Sequence, residues 1–278
     1  MAQLDVPALA REMLDALDGA ALVTPPSQRW PDLDFPTAYE VAREATRLRQ
    51  ARGEQPAGRK IGYTNRRIWP QYNVHQPIWD HVYAHTLHHA RDGSATLSLS
   101  RMVAPRIEPE IAFKLRAPPP TGCQDPALVL ESIEWVARTF EIVDCHYADW
   151  QFAGPDSVID FSHHAALVVG EPLAVTPDDI QSLVDALRDC RVTLAKDGEV
   201  VDTGTGANAL GHPALALAHL AEVLASPLAA PQPEAPPLGA GEVITTGTLT
   251  AALPVAPGET WRTDTEGLDL PPLTVRFE

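Results

Sequence analysis

The segment Arg106-Ile107-Glu108-Pro109-Glu110-Ile111-Ala112-Phe113 constrains this chain more than any other stretch. Its alternation reads as a β-strand, with Ile107, Ile111 and Phe113 on one face and Glu108, Glu110 and Ala112 on the other. Two carboxylates two positions apart on a strand point the same way and repel. Bulk water, a cation or a basic partner must offset them. A solvated strand face satisfies the first condition. A hard divalent metal such as Mg²⁺, Mn²⁺ or Ca²⁺ satisfies the second, because such ions take oxygen ligands. Pro109 removes a backbone donor between the two, which suits a sheet edge or a bulge. Two further segments argue for a site over a wet face. Arg138 to Asp144 sets Glu141 among apolar residues with strand-like alternation, and Gly58 to Thr64 brackets Lys60 with glycines and apolar residues.

Composition limits the partners. With 278 residues, 45% of them apolar and 21% charged, the chain is long enough for one substantial core. A net charge of −16 argues against nucleic acid or an anionic membrane surface, and requires any anionic substrate to be captured locally. Cys123, Cys145 and Cys190 are odd in number and lack metal-ligand spacing, which fits a reduced cytoplasm. The N-terminal stretch is interrupted by Asp5, Arg11, Glu12 and Asp15, and no apolar run reaches transmembrane length, so a cytoplasmic protein is expected.

In chain order, Asp5 and Pro7 open a helix with Val6, Leu9, Met13, Leu14 and Leu17 on one stripe, stopped at Gly19. Leu22 to Phe35 reads as loop, and a second amphipathic helix presents Ala38, Val41, Ala42, Ala45 and Leu48 before Gly53. Residues 1–55 thus form a helical appendage, and 56–278 a body of short strands punctuated by Gly, Pro and Asp. Asp125-Pro126 caps a helix expected to carry Val129, Ile133, Val136 and Ala137 before the Glu141 strand. Further helices are expected at Ile180 to Leu187 and from Pro213, with a hairpin turned at Asp197-Gly198 between them. Pro227 to Pro237 reads as loop, followed by strands at Val243 to Gly247, Thr248 to Leu253, Trp261-Arg262 and Leu273 to Phe277.

Taken in order, Lys60-Ile61-Gly62-Tyr63-Thr64, Glu108-x-Glu110, Glu141-Ile142-Val143-Asp144, Gly204-Thr205-Gly206-Ala207 with Gly211-His212-Pro213, and Thr246-Gly247 resemble a known set. It is that of the 2-oxopent-4-enoate hydratase / 2-oxo-3-hexenedioate decarboxylase family, within the fumarylacetoacetate hydrolase superfamily. The resemblance implies an α+β fold, a mixed β-roll or sandwich catalytic domain behind the helical appendage. It also implies Mg²⁺ or Mn²⁺ held by Glu108, Glu110 and Glu141, with Lys60 in the pocket, in a homo-oligomer acting on a small 2-oxo acid. Such an acid offers a carboxylate and a keto oxygen to the cation, whose charge offsets the enolate formed when a dienol ketonises.

The chain departs from the family in two places. Hydratases commonly carry a carboxylate directly after the Gln-Pro that follows the lysine segment; here Gln76-Pro77 precedes Ile78-Trp79-Asp80. Either Asp80, on the same strand face as position 78, stands in for it, or Asp80 caps a turn and the role is vacant. Asp160-Phe161-Ser162-His163-His164 replaces a run of small polar residues, so the imidazoles of His163 and His164 either reshape the pocket or add a general acid, or else form a surface pair, and Ser162 and His163 are expected to border the pocket. Trp69, Tyr72 and Trp79 imply a larger substrate or a filled pocket. His81, His85, His88 and His89 have i, i+4 spacings but no accompanying metalloprotease glutamate. Gly204-Thr205-Gly206 lacks the lysine of a phosphate loop.

The expected activity is hydration of a 2-hydroxy-2,4-dienoate in aromatic catabolism, with Lys60, Asp80, Ser162 and His163 as catalytic candidates. The nearest alternative is decarboxylation of a 2-oxo-3-enedioate. Hydrolysis of an acylpyruvate needs a His-Glu pair that the lysine segment lacks. A non-catalytic partner subunit has no reason to keep repelling carboxylates together.

Overall fold

The computed structural model describes residues 4–66, 69–72, 74, 76–225 and 236–278, without the side chains of Gln71 and Tyr72. Most of the Pro227 to Pro237 loop, and the side chain of Tyr72, therefore lie outside the described residues. Helix α1 (Val6–Gly19) starts where the Asp5 carboxylate accepts from the Ala8 amide, and a positive φ at Ala20 stops it one residue past Gly19. The segment expected as loop contains one helical turn, α2 (Pro26–Arg29), because proline at its start presets a helical φ. Helix α3 (Phe35–Ala51) is capped by Asp34, which accepts from the Thr37 amide. Leu9 and Met13 of α1 and Tyr39, Val41 and Ala45 of α3 join one apolar cluster with Ile61, Ile78 and Trp79 of the body.

The strands are β1 (Pro56–Gly62), β2 (Ile78–Tyr83), β3 (Leu87–His89), β4 (Ser94–Leu97), β5 (Arg106–Leu115), β6 (Ile133–Val143), β7 (His164–Val169), β8 (Leu173–Ala174), β9 (Arg191–Lys196), β10 (Glu199–Thr205), β11 (Val243–Thr245), β12 (Leu253–Pro254), β13 (Thr260–Glu266) and β14 (Leu273–Phe277). The remaining helices are α4 (Trp69–Tyr72), α5 (Pro126–Leu130), α6 (Gly154–Ile159), α7 (Ile180–Asp189) and α8 (Pro213–Ala225). One mixed sheet runs β2-β1-β11-β5-β6-β7-β3, with β12 added to β5 and β8 to β6; the other runs β10-β9-β13-β14-β4. The architecture is α+β, as expected. Among the described residues no helix is long and apolar enough to cross a membrane.

The two faces of β5 do different work. Ile107 packs with Phe140 and Ile142 of β6 against Trp261, Val275 and Phe277, which closes the two sheets into a sandwich. Further along the same face, Ile111 and Phe113 meet Val129, Leu187, Leu217 and Leu220 of the helices. Each such fully buried side chain contributes on the order of 1.5–3 kcal/mol. The opposite face carries Glu108 and Glu110.

Three further expectations are corrected. Helix α5 ends at Leu130, and Ile133, Val136 and Ala137 belong to β6, where pairing with Leu115, Phe113 and Ala112 of β5 overrides an apparent helical spacing. Thr248 to Leu253 is not a strand; only Leu253 and Pro254 pair, with Ile107 and Arg106. Pro109 lies in a central strand, not at an edge or bulge. Strand β11 pairs only with Ala112 to Lys114, so beside Pro109 the ladder opens and irregular backbone crosses it, donating from Thr246 N to Ile111 O (3.1 Å) and from Leu249 N to Pro109 O (2.9 Å). That opening in the ladder is where the carboxylates lie.

Candidate functional site

The register of β5 and β6 sets Glu108 directly opposite Glu141 and Glu110 opposite Thr139, so the three carboxylates share one face. One ligand oxygen from each lies within 4.8 Å of the others. Glu110 and Glu141 are buried and Glu108 is half-buried at a cavity of about 380 Å³. Each acid is fixed by its neighbours. Glu110 Oε2 accepts from the Gly247 amide (2.9 Å) and from the Thr245 hydroxyl. Glu141 Oε1 faces His164 Nδ1 at 2.8 Å, and His164 Nε2 lies 2.9 Å from Thr86 Oγ1. Such outer contacts orient metal-binding carboxylates. Gly247 is required where it stands: its φ is +96°, and a Cβ there would lie 1.9 Å from Thr64 Oγ1.

Lys60 reaches this cluster from β1, whose pairing with β11 and β2 places it beside Thr245 and Asp80. Its Nζ is 3.2 Å from Glu141 Oε2 and donates to the Ser162 carbonyl at 2.8 Å. Burial disfavours its charge, but Glu141, Glu108 and Glu110 outweigh that and hold its pKa above the ordinary lysine value. Burial pushes Glu108 up to about 7, with Glu141 adding to the rise and Lys60 opposing it. Glu110 is driven well above the carboxylate range by burial and then by Glu141 and Glu108. Glu141 is held low, because Lys60 and His164 overcome the effect of its burial.

Against three acids the cluster sets one lysine, and Glu110 Oε1 is buried without a hydrogen-bond partner. All-oxygen donors, an excess of negative charge and an unsatisfied buried oxygen fit a hard divalent cation, which displaces the protons such acids otherwise retain. Cys145, Asp160 and His163 also approach one another, but both Asp160 oxygens already face nitrogens: His146 Nδ1 at 2.6 Å on Oδ1, and the His146 amide (3.0 Å) and His163 Nδ1 (3.1 Å) on Oδ2.

Of the seven residues singled out in the sequence, six meet here. Ser162 and His163 line the cavity with Lys60 and Glu108. They sit on a strained turn, for Phe161, Ser162 and His163 have φ of 54°, 48° and 63°. The turn aims the Ser162 carbonyl at Lys60, while its hydroxyl donates to Trp79 O at 3.1 Å. His163 packs on Phe152 and Trp150, with ring centroids 4.7 and 5.2 Å away, and its Nε2 is buried without a partner. Asp80 is separate. It lines a second cavity beside α3 and accepts from the His81 amide at 2.6 Å, whereas Ile78 lines the first cavity. Trp69 and Trp79 do not line the carboxylate cavity either; its aromatic walls are Tyr63, Trp150 and Phe152. Gly204 lets the β10 backbone pass close to that of Leu249, since a Cβ on it would meet Leu249 O at 1.7 Å.

Sequence reading missed Thr245, Asp160 and Arg106 as site residues, and weighed His164 as a pocket imidazole without its pairing to Glu141. Arg106 alone carried a usable signal, standing two positions before Glu108 on one strand face.

Comparison with known proteins gives a consistent result. Residues 64–276 match the fumarylacetoacetate (FAA) hydrolase C-terminal family model. A 2-hydroxyhexa-2,4-dienoate hydratase from Comamonas testosteroni is 32% identical, covering 93% of this chain and 92% of its own. A 4-oxalocrotonate decarboxylase from Pseudomonas sp. (strain CF600) is 34% identical, over 86% and 84% respectively. The solved 4-oxalocrotonate decarboxylase from Pseudomonas putida G7, complexed with magnesium and adipate, superposes over 100% of both chains with a TM-score of 0.86 at 30% identity. With its carboxylate-bearing strands inside the matched region and relatives this similar along nearly its whole length, the chain belongs to the fumarylacetoacetate hydrolase family.

Proposed function

We propose that this protein is a divalent-metal-dependent lyase that hydrates 2-hydroxy-2,4-dienoates, or the corresponding 2-oxo-enoates, in aromatic catabolism. The observation that carries this reading is the buried Glu108, Glu110 and Glu141 cluster with Lys60 against it and Glu110 Oε1 unsatisfied. The three acids would hold Mg²⁺ or Mn²⁺, which supplies positive charge for the developing enolate. A relative solved with magnesium, at 30% identity over its full length, supports the choice of ion.

The chain's own groups do the rest. Lys60, kept protonated by the acids, presents a cation at the cavity floor, steadied by the Ser162 carbonyl. His163 has Nδ1 against Asp160, so with its proton on Nδ1 the bare Nε2 can take a proton from water and return it to carbon. Positioned proton transfer of this kind is worth on the order of 10²- to 10⁴-fold. Ser162 acts through Lys60, and Asp80 has no part in this scheme. A cytoplasmic location and a homo-oligomer accompany the reading, the oligomer supported by Val200 and Val201, which are exposed on the outer strand β10.

A second reading, decarboxylation of a 2-oxo-3-enedioate, is favoured by one observation. Ile78, not a carboxylate, faces the cavity near Lys60, and loss of CO₂ needs no base to activate water. Purified, metal-stripped protein assayed on a panel of 2-oxo acids, with and without Mg²⁺ or Mn²⁺, separates the two by water incorporation against CO₂ release. Equal turnover with and without metal on every acid would sink the proposal.

A further inference from the structure

The wall of the cavity away from the carboxylate cluster holds a cation with no assigned task. Arg106 lies on the same face of β5 as Glu108 and Glu110, so the row Glu110, Glu108, Arg106 runs outward along one strand. At about 3.3 Å per residue, its backbone stands roughly 7 Å beyond that of Glu108. The guanidinium lies over the Trp150 indole, 4.1 Å from the ring centroid. Trp150 is itself tied down, for its Nε1 donates to Ala104 O at 3.0 Å and its ring abuts His163. Among the described residues no carboxylate or carbonyl accepts from the Arg106 side chain, although Glu108 stands on the same strand face. The lining acid Asp202 is engaged elsewhere, accepting from the Thr203 and Ala251 amides, each at 2.8 Å.

A guanidinium held by one face against an aromatic ring keeps its N–H edge free, in the geometry that reads a carboxylate with two parallel hydrogen bonds. The row also has the right length. In an extended six-carbon 2-oxo acid, four C–C bonds of about 1.5 Å separate the keto carbon from the terminal carbon, a span of roughly 5 Å. With the 2-oxo end at the acid cluster, the far end of such a chain falls within reach of an arginine anchored one strand step beyond Glu108. The geometry points to Arg106, braced by Trp150, as the receptor for a distal carboxylate: the preferred substrates are 2-oxo-enedioates, whichever lyase reaction follows. This inference rests on the reading that the acid cluster and its metal take the 2-oxo end.

The test uses the full chain loaded with Mg²⁺ and two saturated probes, 2-oxoadipate and 2-oxohexanoate, which share the 2-oxo acid head and differ in the terminal carboxylate. 2-Oxoadipate is expected to inhibit or bind at least about tenfold more tightly, as when a site built to bond a polar group meets an analogue lacking it. In Arg106→Met that preference should fall to within about threefold, and Arg106→Lys should restore part of it. Each preference is a ratio within one protein, so a partly unfolded variant does not distort it, and the wild-type comparison needs no variant at all. Equal affinities in wild type, or a preference that survives in Arg106→Met, overturn the inference and leave the metal-lyase reading standing. Failure of both probes to bind with metal present overturns that reading and the inference together.

Discussion

Glu108 and Glu141 face each other directly across the β5–β6 ladder, with Glu110 one step along the same face. Like charges placed opposite one another destabilise a sheet. The protein meets this with Lys60 at 3.2 Å from Glu141, with burial pushing Glu108 and Glu110 toward their neutral forms, and with a loop amide at Glu110. Site and strain therefore coincide, which makes the arrangement open to experiment.

Glu110→Gln should lower activity at least about a hundredfold, more than loss of an outer-sphere partner brings. The metal-free fold should stay within about 1 kcal/mol of wild type. The glutamine oxygen can still accept from Thr245 and the Gly247 amide, and its NH₂ replaces the orphaned Oε1 with a donor facing two acids. Metal content and thermal unfolding in chelator measure the two halves. A variant that cannot fold would make Glu110 a structural residue.

Lys60→Met should destabilise the metal-free protein by about 3 kcal/mol, because it strips a buried partner from Glu141. Mg²⁺ should then raise the melting temperature of the variant more than that of wild type, since the ion supplies the counter-charge that Lys60 no longer provides. Equal shifts in the two proteins would show that Lys60 does not offset the acids.

Gly247→Ala should cost about 1–3 kcal/mol, as expected for a side chain forced to positive φ against a neighbour. It should also weaken metal binding about ten- to a hundredfold by moving the amide that orients Glu110. Gly258→Ala is the control. That glycine also has positive φ, +91°, but a Cβ there meets nothing within 4 Å, so metal affinity should not change. Calorimetric titration of both variants with Mg²⁺ distinguishes the outcomes.

Asp160→Asn should destabilise by about 3 kcal/mol near pH 5–6, through loss of a buried charge that bridges His146 and His163. Burial opposes the Asp160 charge, yet the two histidines hold its pKa below the ordinary 3.8. His146 is lowered by burial but carried above 6.5 by Asp160. The share from Asp160 is present above 3.8 and lost as pH falls through its depressed value; that from His146 is present below 6.5 and lost as pH rises through its raised value. The stability gap between wild type and variant should accordingly be widest between those two limits. Denaturant melts across pH 3–8 that show a constant gap would refute the coupling.

Strand periodicity and motif order were enough to read the acid cluster. Alternation put Glu108 and Glu110 on one face, and the order of short motifs placed Glu141, Lys60 and Gly247 in one family pattern. The sequence also carried the start and end of α1 and the Asp197-Gly198 hairpin, because each is decided by residues within a few positions of one another. It could not say that Glu108 pairs with Glu141 instead of a neighbouring residue, since register is fixed by the packing of Phe140 and Ile142 against the second sheet. Nor could it separate Ile133 to Ala137 from a helix, as apolar spacing there fits both periods until β5 lies alongside. Asp80 and Ile78 lie two residues apart on one strand, yet only Ile78 lines the acid cavity while Asp80 lines another beside α3. His163 gained its place from a turn of three left-handed residues that no local propensity favours, held by Asp160 and by the Asp144 amide donating to the His163 carbonyl. Local chemistry was written in the chain; which groups share one cavity was decided by long-range pairing, because only burial and register bring residues a hundred positions apart within bonding distance.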